Sequence, residues 1–208
     1  MELVIIYLHE LYYLCDSILR ETTNIFEGAT IPSEGYMVQV SPVLHSRINS
    51  VLLYSANIRK LITTEEKKGK KESRKKYEIR QQRKELFDDL LKDINLKEIT
   101  NSKVRNTLEH FEEYLDDLNL KLEKPNSEIK KDYPAAAYNM TFSEWQVFRP
   151  DVYPIRLYIS KEQTFYNFNW SIDLGEIAKE AKAIQERLKT LDMFKENEAG
   201  GLLTQWSN

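Results

Sequence analysis

The residues best suited to chemistry in this sequence are Arg105, Asn106 and His110, which lie within six positions of one another. An imidazole can accept and release a proton near neutral pH, and a guanidinium binds oxyanions through charge-assisted hydrogen bonds. Arg105 falls in the first turn of a predicted helix, where the helix dipole disfavours a cation. Glu109, one turn later, can pair with Arg105 and gives a structural reason for its presence. The pattern indicates either a site for acid–base and anion chemistry or an ordinary helix with an ion pair.

One amphipathic helix, over about residues 103–118, is predicted to carry these side chains. Ser102 is a good N-cap, because its hydroxyl can accept a hydrogen bond from the free amide groups of the first turn. An apolar stripe then recurs at helical spacing through Val104, Leu108, Phe111 and Leu115. The sequence therefore places the polar triplet on the sides of a helix whose apolar face is buried.

The triplet Arg105-Asn106-x-x-x-His110 resembles the RNxxxH motif of the HEPN superfamily. Members of that superfamily are small α-helical domains, and many are metal-independent ribonucleases of toxin–antitoxin, phage-defence and CRISPR systems. The stretch Ser-Val-Leu-Leu-Tyr-Ser-Ala-Asn-Ile-Arg-Lys-Leu at 50–61, followed by 104–113, is similar to a group of uncharacterised bacterial HEPN-like proteins. The resemblance covers roughly residues 42–118.

This resemblance implies RNA cleavage without a metal or other cofactor. It assigns His110 as general acid or base at the attacking 2′-hydroxyl and Arg105 as the group that stabilises the scissile phosphate. Asn106 would orient His110 or the ribose, and Glu109 would hold Arg105. Many HEPN-like domains have no shown activity and serve in RNA binding or dimerisation. The alternative function is therefore a non-catalytic α-helical interaction module.

The resemblance also implies an oligomeric state, and the helix geometry is compatible with it. At about 100° per residue, Asn106 and His110 project within about 40° of each other, whereas Arg105 points about 140° from His110. A long arginine side chain only partly bridges that angle. HEPN nucleases usually dimerise so that two motif helices share one cleft, and the spacing is compatible with such a composite site. A homodimer is expected, with an antitoxin or another regulatory protein as a possible partner.

Charge is distributed unevenly along the chain, although its net value is only −3. Residues 1–58 hold two Lys/Arg and six Asp/Glu, whereas residues 59–84 hold twelve Lys/Arg and four Asp/Glu. A basic stretch can attract RNA phosphates. The candidate RNA-binding residues are Lys67, Lys68, Lys70, Lys71, Arg74, Lys75, Lys76, Arg80 and Arg83. The other interpretation of residues 64–76 is a solvated, mobile crossover between helices.

Composition limits the other classes of function. A single cysteine, Cys15, excludes an internal disulfide framework and fits a reducing compartment, so a cytoplasmic protein is expected. The apolar N-terminal stretch is well short of the roughly 20 residues of a membrane helix, and no membrane association is predicted. The three histidines are far apart in sequence, and neither a metal-ligand cluster nor a glycine-rich phosphate loop is present.

The predicted fold class is mainly α: a HEPN-type bundle of four to five helices, with a small antiparallel β-hairpin and a C-terminal helix. Helices are predicted at about 2–23, 41–63, 77–95, 103–118 and 173–191. Alternating aromatic and polar residues at 164–170, with β-like stretches at 138–142 and 156–160, predict a sheet of two or three strands. The expected organisation is a helical bundle over 1–125, the hairpin and last helix over 126–194 packed on it, and a flexible tail over 195–208.

Overall fold

The computed structural model describes residues 3–194, which form seven helices and five short strands. The helices are α1 (Val4–Gly28), α2 (Pro42–Ile62), α3 (Arg74–Leu91), α4 (Lys103–Glu109), α5 (Phe111–Leu122), α6 (Glu128–Asp132) and α7 (Leu174–Lys189). The strands are β1 (Val38–Gln39), β2 (Ala136–Phe142), β3 (Tyr153–Ile159), β4 (Thr164–Asn167) and β5 (Trp170–Asp173). The tail predicted at 195–208 lies outside the described residues.

Three long helices, α1, α2 and α7, make the main core. α1 packs along both α2 and α7. Their apolar residues recur at helical spacing, and Ile18, Ile48 and Ile184, one from each helix, are fully buried. Full burial of such a side chain is worth about 1.5–3 kcal/mol, so this shared face is what holds the three helices together. Cys15 is buried in the same core.

The five strands form one mixed sheet in the order β1-β2-β3-β4-β5. β2 and β3 are parallel, and the other neighbouring pairs are antiparallel. Successive residues of a strand point to opposite faces. Tyr158 and Phe165 on one face join the main helical core, whereas Leu157 and Ile159 on the other face pack with Trp145. Each face of the sheet therefore carries a buried apolar cluster.

The predicted fold class, a mainly α HEPN-type bundle with one small hairpin, is wrong, because the sheet has five strands and is mixed. The hairpin does exist as β3 and β4, joined at 161–163 as predicted. However, β2 pairs in parallel with β3, and the sequence pattern of neither segment indicates this pairing. The single strand predicted at 164–170 is two strands, because the chain turns at Phe168, whose φ is 54°.

Two predicted helix starts are confirmed by their caps. The hydroxyl of Ser41 accepts a hydrogen bond from the amide of Leu44 at 3.2 Å, immediately before α2. Asp173 Oδ1 accepts from the amide of Glu176 at 2.8 Å and starts α7. Capping of this kind is worth about 1 kcal/mol, and local sequence is sufficient to specify it.

The predicted helix over 103–118 is wrong as a single helix. It divides at His110, whose φ of −116° and ψ of 40° lie outside the helical region, into α4 and α5. Val104 belongs to the main core, whereas Phe111 and Leu118 pack in a separate cluster with Phe168. Because the apolar stripe serves two different cores, one straight helix cannot bury all of it. The side chain of Ser102 makes no capping bond.

Within residues 3–194, no helix combines the length and the apolar content needed to cross a membrane.

Candidate functional site at the α4–α5 elbow

The turn before α4 is held by a carboxylate from another helix. The amide groups of Glu98 and Ile99 donate to the two carboxylate oxygens of Glu180 on α7, at 2.9 and 2.8 Å. Glu180 is buried, and this burial raises the pKa of its carboxyl group. The position of α4 therefore depends on a contact between residues 82 positions apart in the sequence.

The body of α4 is fixed to the sheet by a chain of buried hydrogen bonds. Thr107 donates its hydroxyl to the carbonyl of Val104 at 2.6 Å and accepts from Nδ2 of Asn167 at 2.8 Å. Oδ1 of Asn167 accepts in turn from the amide of Arg156 at 3.0 Å. Thr107 and Asn167 are fully buried. Such a network is costly to break, because each unpaired member would be left without water.

The Arg105 side chain is largely buried and lies beside the carboxylate of Glu109. It is 19% exposed, with Nε 3.5 Å from Oε2 of Glu109 and Nη2 donating to Oδ1 of Asn106 at 3.4 Å. It lines a small cavity together with Arg59 of α2. Within the described residues, the Arg59 guanidinium has no hydrogen bond or ion pair. Two guanidinium groups thus border one cavity, next to the exposed amide of Asn106.

His110 lies at the elbow between α4 and α5 and faces solvent. Its amide closes α4 by donating to the carbonyl of Asn106 at 3.0 Å, and its carbonyl accepts from Tyr114 in the first turn of α5. The side chain is 56% exposed, and Nδ1 lies 3.5 Å from Oε1 of Glu113. An imidazole in this position can exchange protons with a bound ligand or with water.

The structure brings some of the predicted site residues together and separates others. Arg105, Asn106 and Glu109 are in contact, as the helix spacing predicts. No hydrogen bond joins Arg105 to His110 among the described contacts, and each pairs with a different carboxylate. The surroundings are acidic, since α4 and α5 expose Glu109, Glu112, Glu113, Asp116 and Asp117.

Two of the candidate RNA-binding residues have structural roles instead. Arg80 donates to Glu72 at 2.9 Å and to the carbonyl of Lys67 at 3.2 Å, and it also bonds Thr64. The Arg80 guanidinium holds the pKa of Glu72 at about 2. Arg83 lies over the ring of Tyr7, 5.8 Å from its centroid. Arg80 and Arg83 therefore attach the crossover and α3 to the rest of the protein.

The remaining candidates are exposed and form a basic segment at 67–76. Its members are Lys67, Lys68, Lys70, Lys71, Arg74, Lys75 and Lys76. Arg74 is partly neutralised by Glu78 at 2.9 Å. The segment follows the C-terminal end of α2 in sequence. Arg59 lies three residues before that end. It retains the charge that attraction of RNA phosphates requires.

A cleft of about 1110 Å³ on the sheet has no counterpart among the predicted site residues. We call it the aromatic cleft, because its walls include Tyr133, Trp145, Tyr153, Tyr166, Phe168 and Trp170. The alternating aromatics at 164–170 gave the only signal in the sequence, and they indicated a strand. The cleft borders the start of α4, where the Lys103 ammonium lies 4.5 Å from the centroid of the Trp170 ring, and it borders the elbow, where the rings of Phe168 and Phe111 lie 5.5 Å apart.

Among residues 3–194, no group of three or more His, Cys, Asp or Glu side chains is placed to hold a metal ion. Compared with protein-family models, with curated proteins and with solved structures, the chain matches none of them.

Proposed function

We propose that this protein binds RNA and cleaves it without a metal at the α4–α5 elbow. His110 acts as the general base or acid at the 2′-hydroxyl, and Arg105 binds the scissile phosphate. Asn106 contacts the ribose or orients His110. The resemblance of these residues to the RNxxxH motif supports this function.

The observation that carries the proposal is the exposure of His110. A histidine with a packing role would be buried and bonded locally, as expected for an interaction module. His110 instead projects from a break between two helices, with one contact to an exposed glutamate. A proton-transfer group must reach its substrate within hydrogen-bond distance, and this position allows that.

In the proposed reaction, His110 removes the proton of the 2′-hydroxyl, whose oxygen then attacks the adjacent phosphorus. The bond from phosphorus to the 5′-oxygen breaks, and the leaving oxygen takes a proton from an imidazolium or from water. The additional negative charge of the pentacoordinate transition state is stabilised by Arg105. The resemblance implies that the two groups that act on one phosphate come from two copies of the chain, and within one protomer Arg105 and His110 pair with different carboxylates.

The test is cleavage of single-stranded RNA in EDTA by the wild type, His110→Ala and Arg105→Ala. We expect the wild type to cleave and both variants to lose at least about 100-fold in rate, as is typical for loss of an acid–base group. Glu112→Gln is the matched control, because Glu112 is an exposed acid of the same turn that does not contact His110. Cleavage that disappears with chelator, or that survives in His110→Ala, contradicts the proposal.

Mixing the two inactive variants tests the shared site. In a two-fold dimer, a heterodimer of His110→Ala and Arg105→Ala keeps one intact pair when the pair is built across subunits. We expect partial recovery of cleavage on mixing. If both residues of a pair come from the same protomer, mixing restores nothing.

A second candidate function is a non-catalytic interaction module, and one observation favours it. Between residues 31 and 43, five apolar side chains are strongly exposed, and they are Ile31, Tyr36, Val38, Val40 and Val43. Single exposed apolar residues are ordinary, but several in a short stretch are typical of interaction surfaces. A protein that forms a stable dimer through this stretch and cleaves none of a varied set of RNAs would match the second function.

A further inference from the structure

We infer that the aromatic cleft is the binding site for unpaired bases of single-stranded RNA. This inference rests on the proposed function, and it identifies which form of RNA the elbow acts on. It also assigns a role to aromatic residues that sequence analysis attributed only to a strand.

Aromatic rings from several segments of the chain line the cleft. Trp170 is 37% exposed, at the end nearest α4. Trp145 and Tyr166 meet edge to face with centroids 5.0 Å apart, which fixes both rings in the lining. Aromatic faces of this kind stack nucleobases without regard to sequence. The volume of about 1110 Å³ is at the upper end of ordinary ligand pockets, so it suits more than one base.

Polar groups between the rings can recognise the edges of bases. The hydroxyl of Tyr153 donates to Oδ1 of Asn169 at 3.0 Å, which fixes the orientation of that exposed amide. Gln146, Arg149 and Asp151 are also exposed in the lining. Amide, guanidinium and carboxylate groups supply donors and acceptors for the hydrogen-bonding edges of bases. In single-stranded RNA the bases can be unstacked and present their Watson–Crick edges, which pairing occupies in a duplex.

The position of the cleft connects base binding to the proposed chemistry. Phe168 of the cleft lies 5.5 Å from the ring of Phe111, the residue after His110. At the other side, Lys103 covers the Trp170 ring two positions before Arg105. A strand that leaves the cleft past Trp170 therefore meets a cation at the start of α4 and then the elbow. This route brings its phosphates to the residues proposed to act on them.

The route also explains how RNA can approach an acidic surface. α5 exposes several carboxylates that repel phosphates. Stacking does not depend on net charge, and the cations Lys103 and Arg149 balance the two aspartates of the lining, Asp132 and Asp151. Bases held in the cleft would therefore anchor the strand against that repulsion.

The experiment measures binding of a short single-stranded oligoribonucleotide of mixed sequence to a His110→Ala, Trp206→Phe protein. The first change prevents the proposed cleavage, and the second leaves Trp145 and Trp170, both in the cleft, as the only tryptophans. We expect the oligonucleotide to quench the fluorescence of this protein. Adding Trp170→Ala should weaken binding by roughly 5- to 100-fold, the range for loss of one stacking partner.

Two further variants separate stacking from damage to the fold. Trp170→Phe keeps a ring and should restore most of the affinity. Tyr13→Ala removes an exposed aromatic side chain of α1 outside the cleft and should leave both affinity and quenching unchanged. Thermal melting of all variants checks that each is equally folded.

The outcomes distinguish this inference from the proposed function. If the wild type cleaves RNA and needs His110 to do so, but Trp170→Ala binds RNA as well as its parent, base binding in the cleft is overturned and the proposed ribonuclease activity stands. If RNA binding depends on Trp170 but the wild type cleaves no RNA, the proposed ribonuclease activity is overturned and base binding in the cleft stands. Absence of RNA binding, or quenching only by a neutral oligosaccharide, overturns the assignment of the cleft to RNA bases.

Discussion

At the scale of single residues, two histidines occupy opposite environments. His110 is exposed at the elbow, whereas His45 of α2 is 7% exposed beneath the sheet. In the structure, neither ring nitrogen of His45 has a hydrogen-bond partner among the described residues, although the carbonyl of Met140 lies nearby. Burial, with a contribution from the charge of Arg156, lowers the pKa of His45 to about 4.

The depressed pKa predicts that the protein loses stability in mild acid. In the unfolded chain, His45 takes up a proton near its ordinary pKa of 6.5, whereas the folded protein resists protonation until about pH 4. The free energy of unfolding should therefore fall as the pH drops from 6.5 to about 4, by on the order of 3 kcal/mol from this group. Urea denaturation at a series of pH values measures this change.

His45→Leu isolates the contribution of that residue. The leucine cannot be protonated, so the variant should lose most of the pH dependence between pH 6.5 and 4 while remaining folded. His110→Leu is the matched control, since its side chain is exposed, and it should keep the wild-type dependence. An unchanged slope in His45→Leu would show that other groups cause the acid sensitivity.

At the scale of elements, α4 is a short helix placed by its neighbours. Seven residues are too few for a stable helix in isolation, because helix nucleation is costly. Its position instead comes from Glu180 at one end and from Asn167, through Thr107, along its side. The proposed site therefore depends on α7 and on the sheet, although all of its predicted residues lie in one segment of sequence.

Loss of the Glu180 carboxylate should destabilise the protein and displace α4. Glu180→Ala leaves the amide groups of Glu98 and Ile99 without their acceptor, at a cost of about 2–3 kcal/mol. Glu186→Ala, an exposed acid of the same helix, should cost less than about 0.5 kcal/mol. Chemical denaturation gives both values, and amide hydrogen exchange over residues 97–110 should rise only in Glu180→Ala. Equal stability of the two variants would show that the turn does not rely on Glu180.

At the scale of the whole molecule, charge is separated between regions. The chain has a net charge of −3, yet the basic segment at 67–76 exposes seven cations while α5 exposes four acids near the elbow. Arg80 contributes little to this attraction, because Glu72 neutralises it. A polyanion should therefore be attracted by one region and oriented by repulsion from the other.

Removal of charge from the basic segment should weaken RNA binding and reduce its dependence on salt. In a variant carrying Lys67→Gln, Lys68→Gln, Lys70→Gln and Lys71→Gln, the slope of log affinity against log salt should fall by about 0.7 for each phosphate that the variant no longer neutralises. The control variant carries Lys179→Gln and Lys182→Gln on α7. It also removes positive charge from exposed positions, but outside the basic segment. Affinity measured by fluorescence from about 50 to 200 mM salt, a range suited to such interactions, gives the slopes. Equal slopes in the three proteins would exclude the basic segment from the interface.

The agreement between sequence and structure follows the range of the interactions involved. α2 was predicted well, because its start is specified by Ser41 and Pro42 and its apolar pattern is continuous. Prediction from local sequence was also correct for the start of α7, which Asp173 caps. It failed at His110, where the helix divides because Val104 and Phe111 pack in different clusters. It also missed the cleft, because the rings that form it come from segments separated by up to 37 positions, from Tyr133 to Trp170.

By itself, the sequence determined which segments form the long helices, where two of them begin, and which residues carry a guanidinium, an amide and an imidazole close together. These properties depend on residues within a few turns of one another. Only the tertiary structure decided that β2 joins β3 in parallel, that α4 ends at the elbow, and that His110 is exposed while His45 is buried. Pairing of strands and burial of a given side chain depend on contacts between distant segments, and a periodic pattern in one segment does not specify its partner.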